Sequence, residues 1–408
     1  MKDRRHISGF EATIPILVVQ AATSALGHGG LAIARSAGRL GIDVFGLSEP
    51  SPAPEARSRY WAGRFKHPGA DASADAWLER LLEIGRRLGE AVLVPTDDVA
   101  TLLVAEHADL LDSRYRFPDQ PPALIRRLSD KRELQGVCFE HGVATPDAVY
   151  PTSVDEVEAI AAAGEFPIVA KRIAGWHPAR GARAQNVVIA RNPLELLAAY
   201  ERMESPRTPN VMLQEYIPGR SDSVWMFNGY FDERSECLVG TTGRKLRQRG
   251  PDTGPTTLGQ CISNPEVAET TRRLMKAFGY RGILDIGYRY DARDGRYKLL
   301  DVNPRIGSSF RLFVGAAGID VLRAMYMDLT GQPVPGGGMM NGRKWIVEPF
   351  DLMTATQLWR AHELGPRQWM RSLRGVEEAA WLAADDPLPF AAMVARSTRE
   401  AAKRTIAR

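Results

Sequence analysis

The most constraining feature of this chain is the stretch GILDIGYRYDARDGRYKLLDVNPR, residues 282 to 305, which reads as two alternating strands joined across Asp294 and Gly295. An Asp-Gly pair between period-two apolar runs is a strong hairpin signal, because the tight turns that join antiparallel strands need positive φ. On the first strand Asp285, Gly287 and Arg289 share one face, while Ile286, Tyr288 and Tyr290 share the other. The second strand stops abruptly at Asp301, Asn303 and Arg305, spaced by two so that all three project to one side. If the connection holds an odd number of residues, Asp285 falls on the same face as Asp301 and Asn303. Two carboxylates and an amide oxygen then converge, a hard-oxygen set that suits Mg²⁺, or Mn²⁺ in its place. Left without a cation, the carboxylates repel and one of them titrates upward. The competing reading is a strand that simply surfaces at its end.

Upstream the pattern alternates. IPILVVQAATSALGHGGLAIARSAGRLGIDVFGLSEP reads as a strand (14 to 19), a glycine turn (27 to 30), a helix (31 to 40) and a second strand (43 to 47). This is a βαβ opening of an open parallel sheet. Its G-x-G-G lacks the full dinucleotide spacing, so close helix packing is the better use of these glycines, and a nicotinamide-dependent oxidoreductase is a distant alternative. A helix over 74 to 88 and the strand AVLVPTDD follow, with Thr96, Asp97 and Asp98 either capping a helix or facing a ligand at the carboxyl edge of the sheet. The proline cluster FPDQPP at 117 to 122 marks a boundary.

At 408 residues the chain needs more than one core. A net charge of +4 with interleaved signs gives no electrostatic case for nucleic acid as a partner. Three scattered cysteines, Cys138, Cys237 and Cys261, fit a reducing, cytoplasmic compartment. Lys2, Arg4 and Arg5 ahead of Ile14 to Val19 imitate a secretory leader, but Gln20 and the glycine turn break the apolar run. No run approaches the length of a membrane span.

Basic residues elsewhere call for phosphate. Lys131 follows a helix cap, Lys171 ends the short strand FPIVAKR, and the Gly/Ala/Arg loop AGWHPARGARA after it could fold backbone N–H groups over an anion. The order Lys131, Lys171 in IVAKR, the loop, LQEYIPGRSDS, the Asp285 hairpin and LLDVNPR resembles the ATP-grasp superfamily, which includes carbamoyl phosphate synthase, biotin carboxylase and D-alanine:D-alanine ligase. The resemblance covers roughly residues 120 to 330. It implies an α/β chain with a parallel βαβ domain over 1 to 120, a two-lobed α+β ATP-grasp domain over 121 to 331 (lobes about 121 to 208 and 209 to 331), and a helical C-terminal extension over 332 to 408.

Carried over by position, the resemblance implies that Lys131 and Lys171 contact the phosphates of ATP and that Gln214, Glu215, Tyr216 and Ile217 line the adenine at the hinge. It also implies that Asp222 holds the ribose, that Asp301 and Asn303 bind metal, and that Arg305 steadies the transferred phosphoryl group. Two departures stand out: Asp301 is one methylene shorter than the usual Glu, and Gly287 stands where the first strand commonly carries its acid, leaving Asp285 as the replacement. The reaction implied is ligation of a small carboxylic acid to an amine through an acyl phosphate, releasing ADP and phosphate. The alternatives are phosphorylation of bicarbonate and a decayed, nucleotide-binding remnant.

The substrate-facing residues are the least constrained. GRKLRQRGP supplies Arg244, Lys245, Arg247 and Arg249, of which Lys245, Arg247 and Arg249 share a face if the strand is regular. They offer a cradle for a carboxylate or acyl phosphate, or a solvated basic edge. Arg311 and His177 are weaker candidates. The tryptophans after residue 332 suggest helices packed on the body or a dimer surface.

Overall fold

In the computed structural model, residues 10–21, 27–48, 53–69, 72–174, 186–205, 209–250, 252–336 and 338–406 are described, and side chains through residue 400. Five parallel strands, in the spatial order Trp61–Lys66, Val44–Ser48, Ile16–Val19, Ala91–Pro95 and Tyr115–Arg116, form the first sheet. Ile16, Leu17, Val18 and Val19 are wholly buried, as a central strand covered on both faces by helices requires. The chain leaves this strand on one side for Val44–Ser48 and reaches Ala91–Pro95 on the other. Crevices at such reversals of strand order, beyond the carboxyl ends, are where open α/β sheets place ligands. Asp97 sits there as a helix cap, accepting from Ala100 N (2.9 Å) and Ala21 N (2.8 Å).

A four-stranded antiparallel sheet follows, ordered Ala148–Val149, Val211–Glu215, Ile168–Arg172 and Val187–Ala190. The helices Val154–Ala163 and Pro193–Met203 cover one face with Val157, Leu196 and Tyr200. The third sheet has seven strands: Arg296–Asn303, Gly282–Asp291, Val224–Phe231, Cys237–Gln248, Thr256–Cys261, Lys344–Ile346 and Val376–Ala379. Its back face carries Phe227, Leu284, Ile286, Tyr288 and Val302, packed on Leu134 and Val137 of the helix Lys131–Glu140. Its front face looks toward the four-stranded sheet and, farther along, the first sheet.

The C-terminal extension is not purely helical, contrary to expectation. It contributes the last two strands of the large sheet as well as the helices Glu348–Arg360, Pro366–Ser372 and Leu388–Ile406. Three residues, Lys344–Ile346, are too few for a period-two signal, so tertiary pairing with Thr256–Cys261 decides their state. Charge pairs key the extension to the body: the buried pairs Arg35 with Asp386 and Arg247 with Asp351, and the buried Arg311 with the half-buried Glu378.

Candidate functional site

Register builds the site. Asp285 lies opposite Asn303 and Gly287 opposite Asp301, with a bulge just beyond, so both acids and the amide share the front face. Asn228 on the next strand pairs with Asp285, and Thr241 pairs with Asn228, extending the same row. Asn228 is wholly buried, and its Oδ1 has no hydrogen-bond partner. Sequence reading missed this residue, although an amide in the middle of VWMFNGYF was a visible interruption. Gly307 was also missed: a Cβ there would come within 2.3 Å of Asp285 Oδ2, so the turn after the hairpin must be bare for that carboxylate to fit.

Burial raises the Asp285 carboxyl to about 6, with the neighbouring Asp301 charge pushing the same way and Arg305 and Lys245 opposing. An unpaired amide oxygen, Asn228 Oδ1, stands beside the two acids. Asp285, Asp301 and Asn303 therefore fit a hard divalent cation that keeps some of its waters. Among the described residues no group of three His, Cys, Asp or Glu forms a metal site, so any site here depends on the Asn303 amide. A Cβ on Gly287 would meet no atom within 4 Å, so the place of the acid absent from this strand is open space.

Cations ring these acids. Lys131 Nζ is 3.6 Å from Asp301 Oδ1. Lys171, buried at the end of its strand, is lowered to about 8 by burial, with Asp301 pulling its pKa up and Lys131 and Arg289 pushing it down. Lys245 is likewise lowered to about 8 by burial, with Asp285 and Asp301 opposing, and its Nζ donates to Gly254 O at 2.7 Å. Arg305 donates from Nε to Asp98 Oδ1 (2.6 Å) and from Nη2 to Asn303 Oδ1 (3.2 Å), which ties the turn to the first sheet.

Arg247 does not join them. A register shift between Lys245 and Arg247 breaks the alternation, and Arg247 turns instead to Asp351, donating from Nε and Nη2 at 2.8 Å each. The expected face of Lys245, Arg247 and Arg249 is thus dissolved, and Arg249 lies over the Phe350 ring. Arg311 is also spoken for, buried against Asp320 and Glu378. Arg289, on the face of Asp285, contributes a cation that sequence reading left without a role.

In the stretch expected to line the adenine, Gln214 is buried and lines a small pocket with Lys131, Met212, Leu299 and Leu300, while Ile217 is buried close by in sequence. The Glu215 carboxylate accepts from Lys298 Nζ at 2.7 Å and from Arg293 Nη2 at 3.2 Å. Tyr216 donates to Asp252 Oδ1 (3.3 Å) and carries Arg289 above its ring. Asp222 is exposed on the 3-10 turn Ser221–Ser223. His177 and most of its loop lie outside the described residues.

Three sheets in this order are the ATP-grasp fold. The biotin carboxylase of Campylobacter jejuni, solved with a β-γ-ATP complex, superposes with a TM-score of 0.60 at 15% identity, covering 81% of this chain and 74% of that one. An L-amino acid ligase from Bacillus licheniformis gives 0.57 at 14% identity, over 78% and 75% of the two chains. In sequence the chain is 23% identical over 283 residues to a D-aspartate ligase of Enterococcus faecium, spanning 64% of this chain and 65% of that protein. No protein-family model matches the chain.

Proposed function

We propose that this chain is an ATP-dependent ligase that joins a small carboxylic acid to an amine, releasing ADP and phosphate. The observation that carries the reading is the shared face of Asp285, Asp301 and Asn303, ringed by Lys131, Lys171, Lys245 and Arg305 within an ATP-grasp fold. Relatives named as a D-aspartate ligase and an L-amino acid ligase support the carboxylate–amine chemistry.

Gln214 to Ile217 receive the adenine at the hinge, the ribose hydroxyls approach Asp222, and Lys131 and Lys171 take the phosphates. Asp285, Asp301 and Asn303 would hold Mg²⁺, which offsets phosphate charge. A substrate carboxylate oxygen attacks the γ-phosphorus, the bond to the β-phosphate oxygen breaks, and ADP leaves. The amine then attacks the acyl carbon, phosphate leaves with the C–O bond pair, and the amine nitrogen loses a proton. Arg305 and Lys245 bear the negative charge of the transferred group, and the chain's work is alignment and charge neutralisation rather than covalent catalysis.

The test is ADP and phosphate release by the purified chain with MgATP and a panel of acids, D-aspartate among them, each with pooled amines, beside Asp301→Ala. Release that needs both an acid and an amine and disappears in the variant is the expected result. Release with bicarbonate and no amine would replace the ligase with a carboxylating enzyme, and no release with any acid would overturn catalysis by this chain.

A further inference from the structure

His28 stands in the first turn of the helix Gly27–Gly38, just past the carboxyl end of the central strand Ile16–Val19. Two close approaches carry that turn to the acid row. A Cβ on Gly29 would lie 3.1 Å from Ser308 Cβ, and Gly307, next to Ser308 in the chain, is the glycine that makes room for Asp285 Oδ2. With consecutive Cα atoms about 3.8 Å apart, these steps put the His28 Cα at most about 16 Å from that carboxylate. The imidazole packs on the C-terminal extension, its ring centroid 5.9 Å from that of Trp345, 6.1 Å from Phe350 and 6.5 Å from Trp381. Trp345 continues the row of Lys245. Lys245 pairs with Gly259 and Gly259 with Trp345, so both side chains stand on the front face, about 10 Å apart across two strand spacings.

Nothing in the fold uses the polar edge of this ring. Neither nitrogen has a hydrogen-bond partner among the described residues, and neither is sealed off, since the residue is part-exposed. Burial lowers the imidazole to about 4, so at neutral pH it is uncharged and holds a lone pair that can accept a proton. Phe350 also carries Arg249, whose guanidinium carbon lies 4.7 Å from the ring centroid. Arg249 is exposed and pairs with no carboxylate among the described residues. Its backbone N bonds to Pro255 O, and Lys245 Nζ donates to Gly254 O, so one turn holds both cations. Glu215 meets the large sheet at its first strand, through Lys298, whereas His28 meets it at the sixth, through Trp345. The stretch expected to hold the adenine and the His28 wall therefore lie on opposite sides of Lys245.

We propose that this wall is the amine subsite: His28 takes the proton that the attacking nitrogen gives up, and Arg249 pairs with a carboxylate carried by the amine itself, so that the nucleophile is an amino acid. The inference rests on the ligase reading above. The lone pair of the free amine forms the C–N bond to the acyl carbon, and phosphate leaves with the C–O bond pair. The N–H bond pair stays on nitrogen while its proton passes to the imidazole, which returns it to water. A neutral acceptor suits this step, because the nitrogen becomes acidic only as the C–N bond forms, and a guanidinium is the natural partner of a carboxylate.

The test follows two reactions of the full chain with MgATP and each acid of the panel above. Hydroxylamine, neutral at pH 7, traps an acyl phosphate as the hydroxamate without a protein base; amino acids of both hands require the complete amine subsite. His28→Gln and His28→Phe, the second keeping a ring against Trp345 and Phe350, should each lower amino-acid-dependent ADP release about a hundredfold, within the span of general-base catalysis, while the hydroxamate yield stays within about twofold. Arg249→Met should raise KM for the amino acid about tenfold and leave KM for ATP within about twofold. Ethylamine and glycinamide, which lack the carboxylate, should react at least tenfold more slowly than the amino acid. Melting curves show that the variants are folded. If both reactions fall together in the His28 variants, or if His28→Phe turns over amino acids as wild type does, the ring only fills space: the proposal is overturned and the ligase reading stands. Amines without a carboxylate that react as fast as amino acids would remove Arg249 from the subsite. If no acid yields hydroxamate or releases ADP, the ligase reading itself fails and the amine subsite with it.

Discussion

Arg305 Nε lies 2.6 Å from Asp98 Oδ1, joining the turn after the hairpin to the first helical residue beyond the fourth strand of the N-terminal sheet. The two residues are 207 positions apart, and neither is more than about a third exposed. The same guanidinium reaches Asn303 Oδ1. The N-terminal sheet therefore holds, through one carboxylate, the cation expected to face the transferred phosphoryl group.

Removing that hold should cost turnover more than stability. Asp98→Asn keeps the size of the side chain but loses the charge, and the pair is exposed enough that its contribution to folding is about 1 kcal/mol or less. A kcat lowered roughly tenfold, from an Arg305 that is less well aligned, with a melting temperature shifted by only a few degrees, is the expected outcome in steady-state ADP release and calorimetry. A large fall in melting temperature with unchanged kcat would make the contact purely structural.

The Arg247–Asp351 pair should behave the opposite way. Its side chains are 7% and 0% exposed, and Asp351 also accepts from Thr257 Oγ1 and Trp369 Nε1. Breaking a buried pair by removing one partner costs about 3–5 kcal/mol because the other charge stays buried. Arg247→Met should accordingly lower the urea midpoint markedly, while KM for the acid in the folded fraction stays within about twofold. Wild-type stability with abolished turnover would return Arg247 to the substrate site.

What the sequence made legible is the local part. The Asp294–Gly295 turn, the alternation of LDIGYRYD and the spacing of Asp301, Asn303 and Arg305 are short-range signals; the register is not, because residues 292 to 295 make an even-length connection and it is the bulge beside Gly287 that sets Asp285 opposite Asn303 rather than Val302. Asp351 lies 104 positions from Arg247, and the bulge that separates Arg247 from Lys245 leaves no mark in an alternating run of basic residues. Asn228 was passed over for a related reason: what distinguishes it is a buried oxygen with no partner, which exists only once the chain has packed around it. The strand Val376–Ala379, rich in Glu, has pairing rather than propensity to thank for its state.

Acid should loosen the C-terminal extension. Burial alone would raise the Glu378 carboxyl, but Arg311, Arg343 and Arg39 outweigh it and hold it at about 2, below the ordinary 4.5. A carboxylate depressed in the folded state contributes stability that is fully present above about 4.5 and is lost as pH falls toward 2. Glu378→Gln should therefore be less stable than wild type at pH 7, with the gap in urea midpoint narrowing between pH 4.5 and pH 2.5. A gap that stays constant over that range would show that the ion pairs contribute nothing through this carboxylate.

Gly287 offers the sharpest test of the acid row. It faces Asp301 across the hairpin, and a Cβ there meets nothing within 4 Å, so a side chain enters without displacing its neighbours. Its φ is not among the positive values, so an L side chain carries no backbone strain. Gly287→Asp adds a third carboxylate to Asp285 and Asp301. In the metal-free protein three acids repel, and the melting temperature should fall. With Mn²⁺ or Mg²⁺ present the added oxygen ligand should tighten binding about tenfold, so that the metal-dependent rise in melting temperature exceeds that of wild type. Titration of Mn²⁺ followed by electron paramagnetic resonance reads the affinity directly. If the variant binds Mn²⁺ no more tightly than wild type, the cation does not sit between these two strands, and the roles given to Asp301 and Asn303 fall with it.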